Sequence, residues 1–358
     1  MTESAQFDER TDTIPVREVH AFDVASLERS LAQQVDLAGP LRVRQFRGGQ
    51  SNPTYLLESG AQRYVLRRKP PGALLPSAHA VDREFRVMRA LHATAVPVPR
   101  ALCYCDDDAV IGTAFFVMRH VPGRVIADPR LPGFTPAERT ALYDDVARVL
   151  AALHRVDPES VGLADFGRPG NYYTRQISRW SRQYLESKTD EIPAMEALME
   201  WLPANVPESD ETSIVHGDYR IGNCILHPTE PKIAAVLDWE LSTLGHPLAD
   251  LAYYCQSYHG EATPGSTLVG VDLAELGIPN EQTFVARYCE LAGRAGIDHW
   301  AFYMVFVMFR SAAIVQGVYK RGLDGNASSE HAHQFGALVR KRADDAWKLA
   351  HTSGGSTV

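Results

Sequence analysis

Near its middle the sequence reads His216-Gly217-Asp218-Tyr219-Arg220-Ile221-Gly222-Asn223, between two short runs of strand-forming residues. The spacing from Asp218 to Asn223 allows a tight loop to turn both side chains toward one point, and Gly217 permits close backbone approach there. Asp and Asn are also favoured in turns simply because they form hydrogen bonds, so a capped turn is the alternative interpretation.

A second acidic motif, Asp238-Trp239-Glu240, follows the apolar strand predicted over Ile233 to Leu237. Phosphoryl transfer requires a carboxylate that orients the attacking hydroxyl and accepts its proton, oxygen ligands for Mg²⁺, and cations on the phosphates. Asp218 suits the first role. Asn223 and Asp238 suit the second, because Mg²⁺ prefers a few carboxylate or carbonyl oxygens together with phosphate and water. The two motifs therefore predict phosphoryl transfer with Asp218 as the catalytic residue.

The N-terminal third has the pattern of a small sheet. Strands are predicted over Leu41 to Phe46, Thr54 to Glu58, Tyr64 to Arg68 and Phe115 to Val121. The loop Gly48-Gly49-Gln50-Ser51-Asn52 can present backbone N–H groups to phosphates. Glycine pairs are also everyday hairpin turns, so this loop alone is a weak signal.

Helical patterns dominate the remainder. Helices are predicted over Asp23 to Gly39, Ala80 to His92, Thr135 to His154, Tyr172 to Tyr184, Pro193 to Trp201, and from Ala249 onward. A short β island interrupts them at Ser213 to His216, Cys224 to Leu226 and Ile233 to Asp238. The order predicts a small strand-rich lobe followed by a larger helical lobe, with the boundary at Met118 to Gly123.

Composition narrows the classes of partner. The chain has 358 residues, enough for two domains or lobes, and its 45% apolar and 22% charged residues are near the soluble average. A net charge of -8 argues against nucleic acid and anionic membranes as partners, since both require a basic field. The longest apolar run, Ala301 to Phe309, is too short to span a bilayer.

The five cysteines are few and odd in number, so we expect reduced thiols in a cytoplasmic protein. The acidic, polar N-terminus has no apolar segment of the signal-peptide type, and it predicts a flexible tail.

Three longer runs carry a resemblance to a known family. They are Tyr64-Val65-Leu66-Arg67-Arg68-Lys69-Pro70-Pro71-Gly72, Asp82-Arg83-Glu84-Phe85-Arg86-Val87 and Leu237-Asp238-Trp239-Glu240-Leu241-Ser242-Thr243-Leu244-Gly245. From about residue 40 to about residue 320 the sequence resembles the aminoglycoside phosphotransferase/choline kinase-like family. Its nearest likeness is to the kinase-like domain that some animal proteins carry beside an acyl-CoA dehydrogenase.

The resemblance implies an α+β, protein-kinase-like bilobal fold. A small β-rich N-lobe (21–120) would bind the nucleotide, and a larger, mainly helical C-lobe (121–350) would be catalytic and bind the substrate. Residues 1–20 and 351–358 are predicted to be tails.

The resemblance also implies roles for single residues. Asp218 is the catalytic base, and Asn223 and Asp238 are the Mg²⁺ ligands, with Asp238-Trp239-Glu240 standing where protein kinases have Asp-Phe-Gly. The hinge would be the segment from Met118 through His120 to Val121, which offers backbone groups to the adenine of ATP. Asp250 would brace the catalytic loop without reacting.

One position departs from the kinase pattern. Kinases usually place a lysine on the third strand, paired to a helix glutamate, whereas the matching residues here are Arg67 and Glu84. Arginine keeps the charge and can hold phosphate or carboxylate through two hydrogen bonds. Strand alternation places Lys69 on the same face, so Lys69 is the competing phosphate contact.

Several residues could select the acceptor. Arg175, Arg179 and Arg182 form a basic edge on an acidic chain, which favours an anionic acceptor over a polycationic aminoglycoside, although a solvated helix face is the plainer interpretation. Arg310 lies in an apolar run, and a buried arginine must be paired, either with a substrate anion or with a structural carboxylate.

The remaining polar candidates receive plainer interpretations. His216 is expected to hold the loop by hydrogen bonding, and His154 and His246 are expected to cap or pack. Glu240 is either a group near Mg²⁺ or a surface glutamate.

The sequence thus predicts an ATP- and Mg²⁺-dependent phosphotransferase that acts on a hydroxyl of a small molecule, with a hydroxyacyl-CoA-type metabolite as the suggested acceptor. The alternatives are an aminoglycoside phosphotransferase and a nucleotide-binding pseudokinase or regulatory module.

Overall fold

The computed structural model describes residues 13–47, 52–70, 79–260, 266–325 and 335–352. By its internal contacts the chain divides into two units. The first comprises Met1–Arg124, Cys224–Glu230 and Ala234–Leu241, and the second comprises Val125–Asn223, Pro231–Ile233 and Ser242–Val358. Residues 1–12 and 353–358 of the predicted tails, and Gly48, Gly49 and Ser51 of the predicted phosphate loop, lie outside the described residues.

A six-stranded antiparallel sheet organises the first unit. Its strands are β1 (Thr13–Ile14), β2 (Leu41–Phe46), β3 (Thr54–Ser59), β4 (Gln62–Arg68), β5 (Ala101–Cys105) and β6 (Phe115–Arg119), in the order β1-β2-β3-β4-β6-β5. The strands predicted around Val43, Leu56, Leu66 and Val117 are therefore present, each within a few residues of its predicted bounds. Leu57, Leu66 and Val117 lie in the hydrophobic core on one side of this sheet.

The N-terminal segment differs from the prediction of a flexible tail up to residue 20. Thr13 pairs with Phe46 and Ile14 with Gln45, and the Arg44 side chain donates hydrogen bonds to the Thr13 carbonyl and hydroxyl oxygens. Glu18–His20 then form a 3₁₀ turn. The prediction was wrong for these residues because β2 offers an unpaired edge that a short strand can satisfy.

Helix α1 (Val24–Leu31) begins at the predicted cap, where the Asp23 carboxylate accepts from the amides of Ala25 and Ser26. It ends well before the predicted Gly39. The Gln34 amide donates to the Leu31 carbonyl only three residues earlier, a tighter bond that is common where helices end. Val35 is nevertheless buried, as its apolar spacing predicts, and reaches the core from a turn.

Helix α2 (Val81–Leu91) matches the predicted helix. Its Phe85 is only half-buried, whereas Glu84 is 1% exposed. A short helix, α3 (Asp108–Ile111), follows β5. Burial of Glu84 places a carboxylate inside the first unit.

The β island contributes to a second, three-stranded sheet of β7 (Arg124–Val125), β9 (Cys224–Leu226) and β10 (Ile233–Val236), in the order β10-β9-β7. The 3₁₀ turn Trp239–Leu241 follows β10. The buried Trp239 indole donates a 3.0 Å hydrogen bond to the Val236 carbonyl, which fixes the chain where the acidic motif begins.

Helices make up most of the second unit. They are α4 (Pro136–His154), α5 (Tyr172–Ser187), α6 (Pro193–Ala204), α7 (Leu248–Cys255), α8 (Leu273–Leu276), α9 (Glu281–Ala292), α10 (Trp300–Leu323) and α11 (Gly336–Thr352). Helix α4 begins where it was predicted, with a capping box in which Thr135 and Glu138 exchange hydrogen bonds with each other's amides. Strands β8 (Ser213–Val215) and β11 (Thr243–Gly245) pair antiparallel beside these helices.

Helix α10 is the central helix of this unit. It is the one helix of the described residues that has the length and hydropathy of a membrane span, and 72% of its apolar window is buried against neighbouring helices. Because α5, α7 and α11 pack against it, its composition is that of a core helix.

Candidate active site

The loop after β8 brings together the two residues that the spacing selected. The Asn223 side-chain nitrogen donates hydrogen bonds to the Asp218 carbonyl oxygen and to Asp218 Oδ2, both at 2.9 Å. Arg220 Nε lies 3.4 Å from the same Oδ2. Gly217 adopts a φ of 83°, in the left-handed region that favours glycine, so the loop can turn sharply before Asp218.

Asp250, at the start of α7, holds this loop through hydrogen bonds to its backbone. Its Oδ2 accepts the His216 amide at 2.6 Å and its Oδ1 accepts the Gly217 amide at 2.8 Å. Burial alone would raise the pKa of this carboxyl group, but hydrogen bonds from His154 and the Gly217 amide hold the pKa below its ordinary value. Asp250 is therefore a charged brace with no exposed surface for chemistry, as the resemblance implied.

His154 contacts the Asp250 carboxylate, and Tyr288 contacts His154 in turn. His154 Nε2 lies 3.4 Å from Asp250 Oδ2, and its Nδ1 lies 2.7 Å from the Tyr288 hydroxyl. The sequence interpretation of His154 as a packing residue missed this contact, because nothing in the order of residues links the end of α4 to the start of α7. The contact depends on how the helices pack.

Two more neighbours of the loop come from other helices. Arg310 of α10 donates a 2.9 Å hydrogen bond to the Gly217 carbonyl. Burial first, and then the nearby Asp218 carboxylate, raise the pKa of Tyr253, so its hydroxyl stays protonated. Tyr253 follows Asp250 by three residues on α7, and residues at that spacing lie on the same face of a helix, which is the signal that could have found it.

The first unit holds the second acidic motif. Asp238 follows β10 with a φ of 66°, a conformation that residues other than glycine seldom adopt and that often marks functional sites. Arg67 Nη2 lies 3.0 Å from Asp238 Oδ1, and Arg67 Nε lies 3.1 Å from Glu84 Oε2. Arg67, and not Lys69, therefore makes the ion pair with the helix glutamate.

Charge around Arg67 is not balanced. Two carboxylates contact one guanidinium, and Glu240 acts on it from nearby. Burial, opposed by Arg67, raises the pKa of Glu84 to about 7. The first unit thus concentrates negative charge at the acidic motif, where a cation would relieve it.

Each unit, taken by itself, offers a side-chain oxygen of the kind that Mg²⁺ binds. The Asn223 amide nitrogen makes both of its hydrogen bonds to Asp218, so Oδ1 is the atom left for a cation. Asp238 is about a third exposed and bonds Arg67 through Oδ1, which leaves Oδ2. Within the described ranges no cluster of three or more His, Cys, Asp or Glu side chains forms a closed metal cage. Mg²⁺ needs no such cage, since phosphates and water complete its shell.

Three of the predicted nucleotide contacts, Asn52, Met118 and His120, lie in the described residues of the first unit. The Asn52 side chain is fully buried, with its nitrogen 3.3 Å from Glu240 Oε2 and its oxygen 3.1 Å from His79 Nδ1, so it ties the end of the loop to the acidic motif. Met118 is buried on β6. The His120 amide donates to the Arg63 carbonyl at 3.2 Å, and this N–H is therefore already engaged in the sheet.

His246 is packed as predicted, with its ring centroid 5.1 Å from that of Tyr173 and 5.5 Å from that of Tyr303. Burial lowers the pKa of His246 from 6.5 to about 4. Between pH 6.5 and about pH 4, His246 is protonated in the unfolded chain but neutral in the folded chain. The free energy of unfolding must therefore fall as the pH falls through this range.

We expect the free energy of unfolding to drop by about 2 kcal/mol from this group between pH 7 and pH 5. His246→Phe keeps the ring stacking but cannot be protonated, and its stability should vary with pH by that much less than the wild type. Urea titrations at both pH values measure the difference. Val269→Ala, at an exposed side chain that does not titrate, is the control and should keep the wild-type slope. Equal slopes in the wild type and His246→Phe would contradict the assignment.

Comparison with protein families gives a consistent result. The model of the phosphotransferase enzyme family matches residues 42–291. Acyl-CoA dehydrogenase family member 10 of Mus musculus is 45% identical over 350 residues, covering 96% of this chain and 32% of that protein. Acyl-CoA dehydrogenase family member 11 of Homo sapiens is 43% identical over 347 residues, covering 95% of this chain and 44% of that protein. The chain spans a third to just under half of the length of these relatives.

Solved structures agree on the fold. A crystal structure from Ralstonia eutropha, which its name assigns only provisionally to the aminoglycoside phosphotransferases, is 49% identical, with a TM-score of 0.86 over 93% of this chain and 100% of that one. Aminoglycoside phosphotransferase APH(4)-Ia, solved with ADP and hygromycin B, is 19% identical, with a TM-score of 0.60 over 92% of this chain and 99% of that one. The predicted protein-kinase-like α+β fold is confirmed.

Proposed function

Because the chain belongs to the phosphotransferase enzyme family, we propose that it transfers the γ-phosphoryl group of ATP to a hydroxyl of a small molecule, with Mg²⁺ as cofactor. The observation that carries the proposal is the loop at Asp218. A carboxylate is fixed there by Asn223, and the loop backbone is fastened by the buried Asp250. Asp and Asn in this relation serve as base and metal ligand in kinase catalytic loops.

The proposed chemistry assigns one task to each group. Asn223 and Arg220 both contact Asp218 Oδ2, so Oδ1 is the atom that would accept the proton of the acceptor hydroxyl. The acceptor oxygen then bonds to the γ-phosphorus as the bond to ADP breaks. Asn223 Oδ1 and Asp238 Oδ2 would hold Mg²⁺, which neutralises charge on the β- and γ-phosphates.

Arg67 would steady the phosphates, with Glu84 holding its guanidinium in place. The loop at Gly48, Gly49, Ser51 and Asn52 and the segment from Met118 to His120 are proposed nucleotide contacts. Support for nucleotide binding comes from the structural neighbour with ADP.

For the acceptor we propose a hydroxyacyl-CoA-type metabolite. Its support is the 43–45% identity to proteins named acyl-CoA dehydrogenases over nearly all of this chain. An aminoglycoside is the second candidate, supported by the complex of a structural neighbour with hygromycin B.

The test is ATP turnover by the purified protein over an acceptor panel of hydroxy acids, their CoA thioesters and hygromycin B. We expect ADP release and a matching gain of one phosphoryl group in at least one hydroxy compound, detected by mass spectrometry. Chelation of Mg²⁺ with EDTA should lower turnover to background, and added Mg²⁺ should restore it. ATP binding without turnover on any acceptor would overturn the proposal in favour of a nucleotide-binding regulatory module.

A further inference from the structure

A buried arginine lies beside the catalytic loop. Arg310 is 8% exposed, and its Nη2 donates to the Gly217 carbonyl at 2.9 Å, one residue before Asp218. Its guanidinium carbon lies 5.6 Å from the Trp180 ring centroid and 5.4 Å from the Tyr253 ring centroid. The guanidinium is thus held between two aromatic side chains next to the proposed base.

This guanidinium has no acid of its own. In the part of the chain that the structure describes, Arg310 forms no ion pair with any Asp or Glu, and its one hydrogen bond goes to a neutral carbonyl. A guanidinium has five N–H groups, and a single hydrogen bond to a carbonyl leaves donors that an oxyanion could use. The structural carboxylate that the sequence left open as a partner for Arg310 is absent from the described residues.

The surroundings add positive charge. Arg179 lies over the Trp180 ring at 5.3 Å, so this indole is flanked by two guanidinium groups. Arg175, one turn earlier on α5, is hydrogen-bonded to the Gly170 and Arg168 carbonyls and adds a further cation. Two acids belong to the same surroundings: Asp218 acts on the Tyr253 hydroxyl, and Asp250 accepts the Gly217 amide. The side of the loop formed by α5, α7 and α10 is therefore cationic and aromatic.

We propose that Arg310 is a specificity-determining residue that binds an anionic group of the acceptor, a carboxylate or another planar oxyanion, between Trp180 and Tyr253. The inference rests on the proposed phosphoryl transfer. Among the acceptors of the panel it favours the free hydroxy acid over its CoA thioester, because a thioester carries no carboxylate for Arg310 to bind. Arginine suits this task because its planar N–H groups can hold an oxyanion through two hydrogen bonds. Because Arg310 contacts the residue before Asp218, the anion and the reacting hydroxyl belong to one small molecule.

The same charges act against a polycation. An aminoglycoside would place ammonium groups beside Arg310 and Arg179, and like charges at close range lower affinity for the wrong partner. The arginine stack therefore favours a free hydroxy acid over an amino sugar.

The experiment measures binding, not turnover. Straight-chain hydroxy acids of two to eight carbons are titrated into the protein with ADP and Mg²⁺, each beside the diol in which CH₂OH replaces the carboxylate, and beside hygromycin B. Intrinsic tryptophan fluorescence reports occupancy, since Trp180 is in contact with Arg310, and Trp180→Phe identifies its share of the signal. We expect at least one acid to bind about tenfold or more tightly than its diol.

Arg310→Gln separates the anion contact from the structural one. Glutamine can still donate to the Gly217 carbonyl but carries no charge, so the preference for acid over diol should fall to about one while ADP affinity is kept. Arg310→Lys retains charge without the planar fork and should keep part of the preference. Lys341→Met removes an exposed cation of α11 and should bind like the wild type.

The outcomes are separable. Loss of the acid preference in Arg310→Gln, with an unchanged melting temperature, supports the inference even if no acceptor turns over, in which case the proposed function alone fails. If no acid binds better than its diol, or if the folded Gln or Lys variant keeps the full preference, Arg310 is structural and the inference is overturned.

Discussion

Asp218→Ala is expected to lower kcat by about 10³-fold or more, while nucleotide affinity changes little. The variant removes the carboxylate that would take the acceptor proton, and it leaves Asn223 and the braced loop backbone in place. Since the Asp250 hydrogen bonds to the His216 and Gly217 amides do not involve the Asp218 side chain, the loop should keep its shape. Steady-state turnover and titration with a fluorescent ATP analogue measure the two quantities.

Asp218→Asn is the closer probe of the proton step. It preserves the size of the side chain and its oxygen toward Asn223, but it cannot accept a proton at the reacting hydroxyl. We expect its kcat to fall nearly as far as that of the alanine variant. Asp157→Ala removes an exposed carboxylate in a turn of the same unit and should retain wild-type turnover. Turnover within threefold of wild type in Asp218→Asn would rule out Asp218 as the base.

The fold was predictable because local patterns agree with it. Alternation and turn residues indicated the main strands of the first unit, and the helical pattern from Thr135 to His154 indicated α4. The predictions were wrong where contacts with other parts of the chain determine the secondary structure. Thr13–Ile14 is a strand only because β2 has a free edge, and α1 ends at Leu31 in a turn, well before Gly39. Neither feature is reflected in the hydrophobic periodicity of the sequence.

The site was predictable where its residues are close in the chain. The distance from Asp218 to Asn223 is set by a loop of a few residues, so the spacing was informative. The resemblance supplied Arg67 and Glu84, which the structure joins. By contrast, His154 lies 96 residues from Asp250, and Arg310 lies 93 residues from Gly217. Contacts over such separations follow from helix packing, which single-sequence patterns do not encode.

The buried charge at Asp250 carries the second large prediction. Asp250→Ala should lower the free energy of unfolding by about 3–5 kcal/mol, the usual cost of removing one partner from a buried ionic network. The His216 and Gly217 amides would lose their acceptor where no water reaches them, and His154 would lose its acidic neighbour. Because the same amides position Asp218, kcat should also fall, by about 10²-fold. Urea unfolding and steady-state turnover measure the two effects.

Asp250→Asn distinguishes a charged brace from a simple hydrogen-bond acceptor. Its side-chain oxygen can accept one of the two loop amides, while its NH₂ group would face the other donor. If charge and two acceptors are both needed, the asparagine variant should lose more than half of what alanine loses. Asp157→Ala should change stability by less than about 0.5 kcal/mol, as surface substitutions do. A loss below about 1 kcal/mol in Asp250→Ala would mean that the loop holds itself, and the brace would then have no part in placing Asp218.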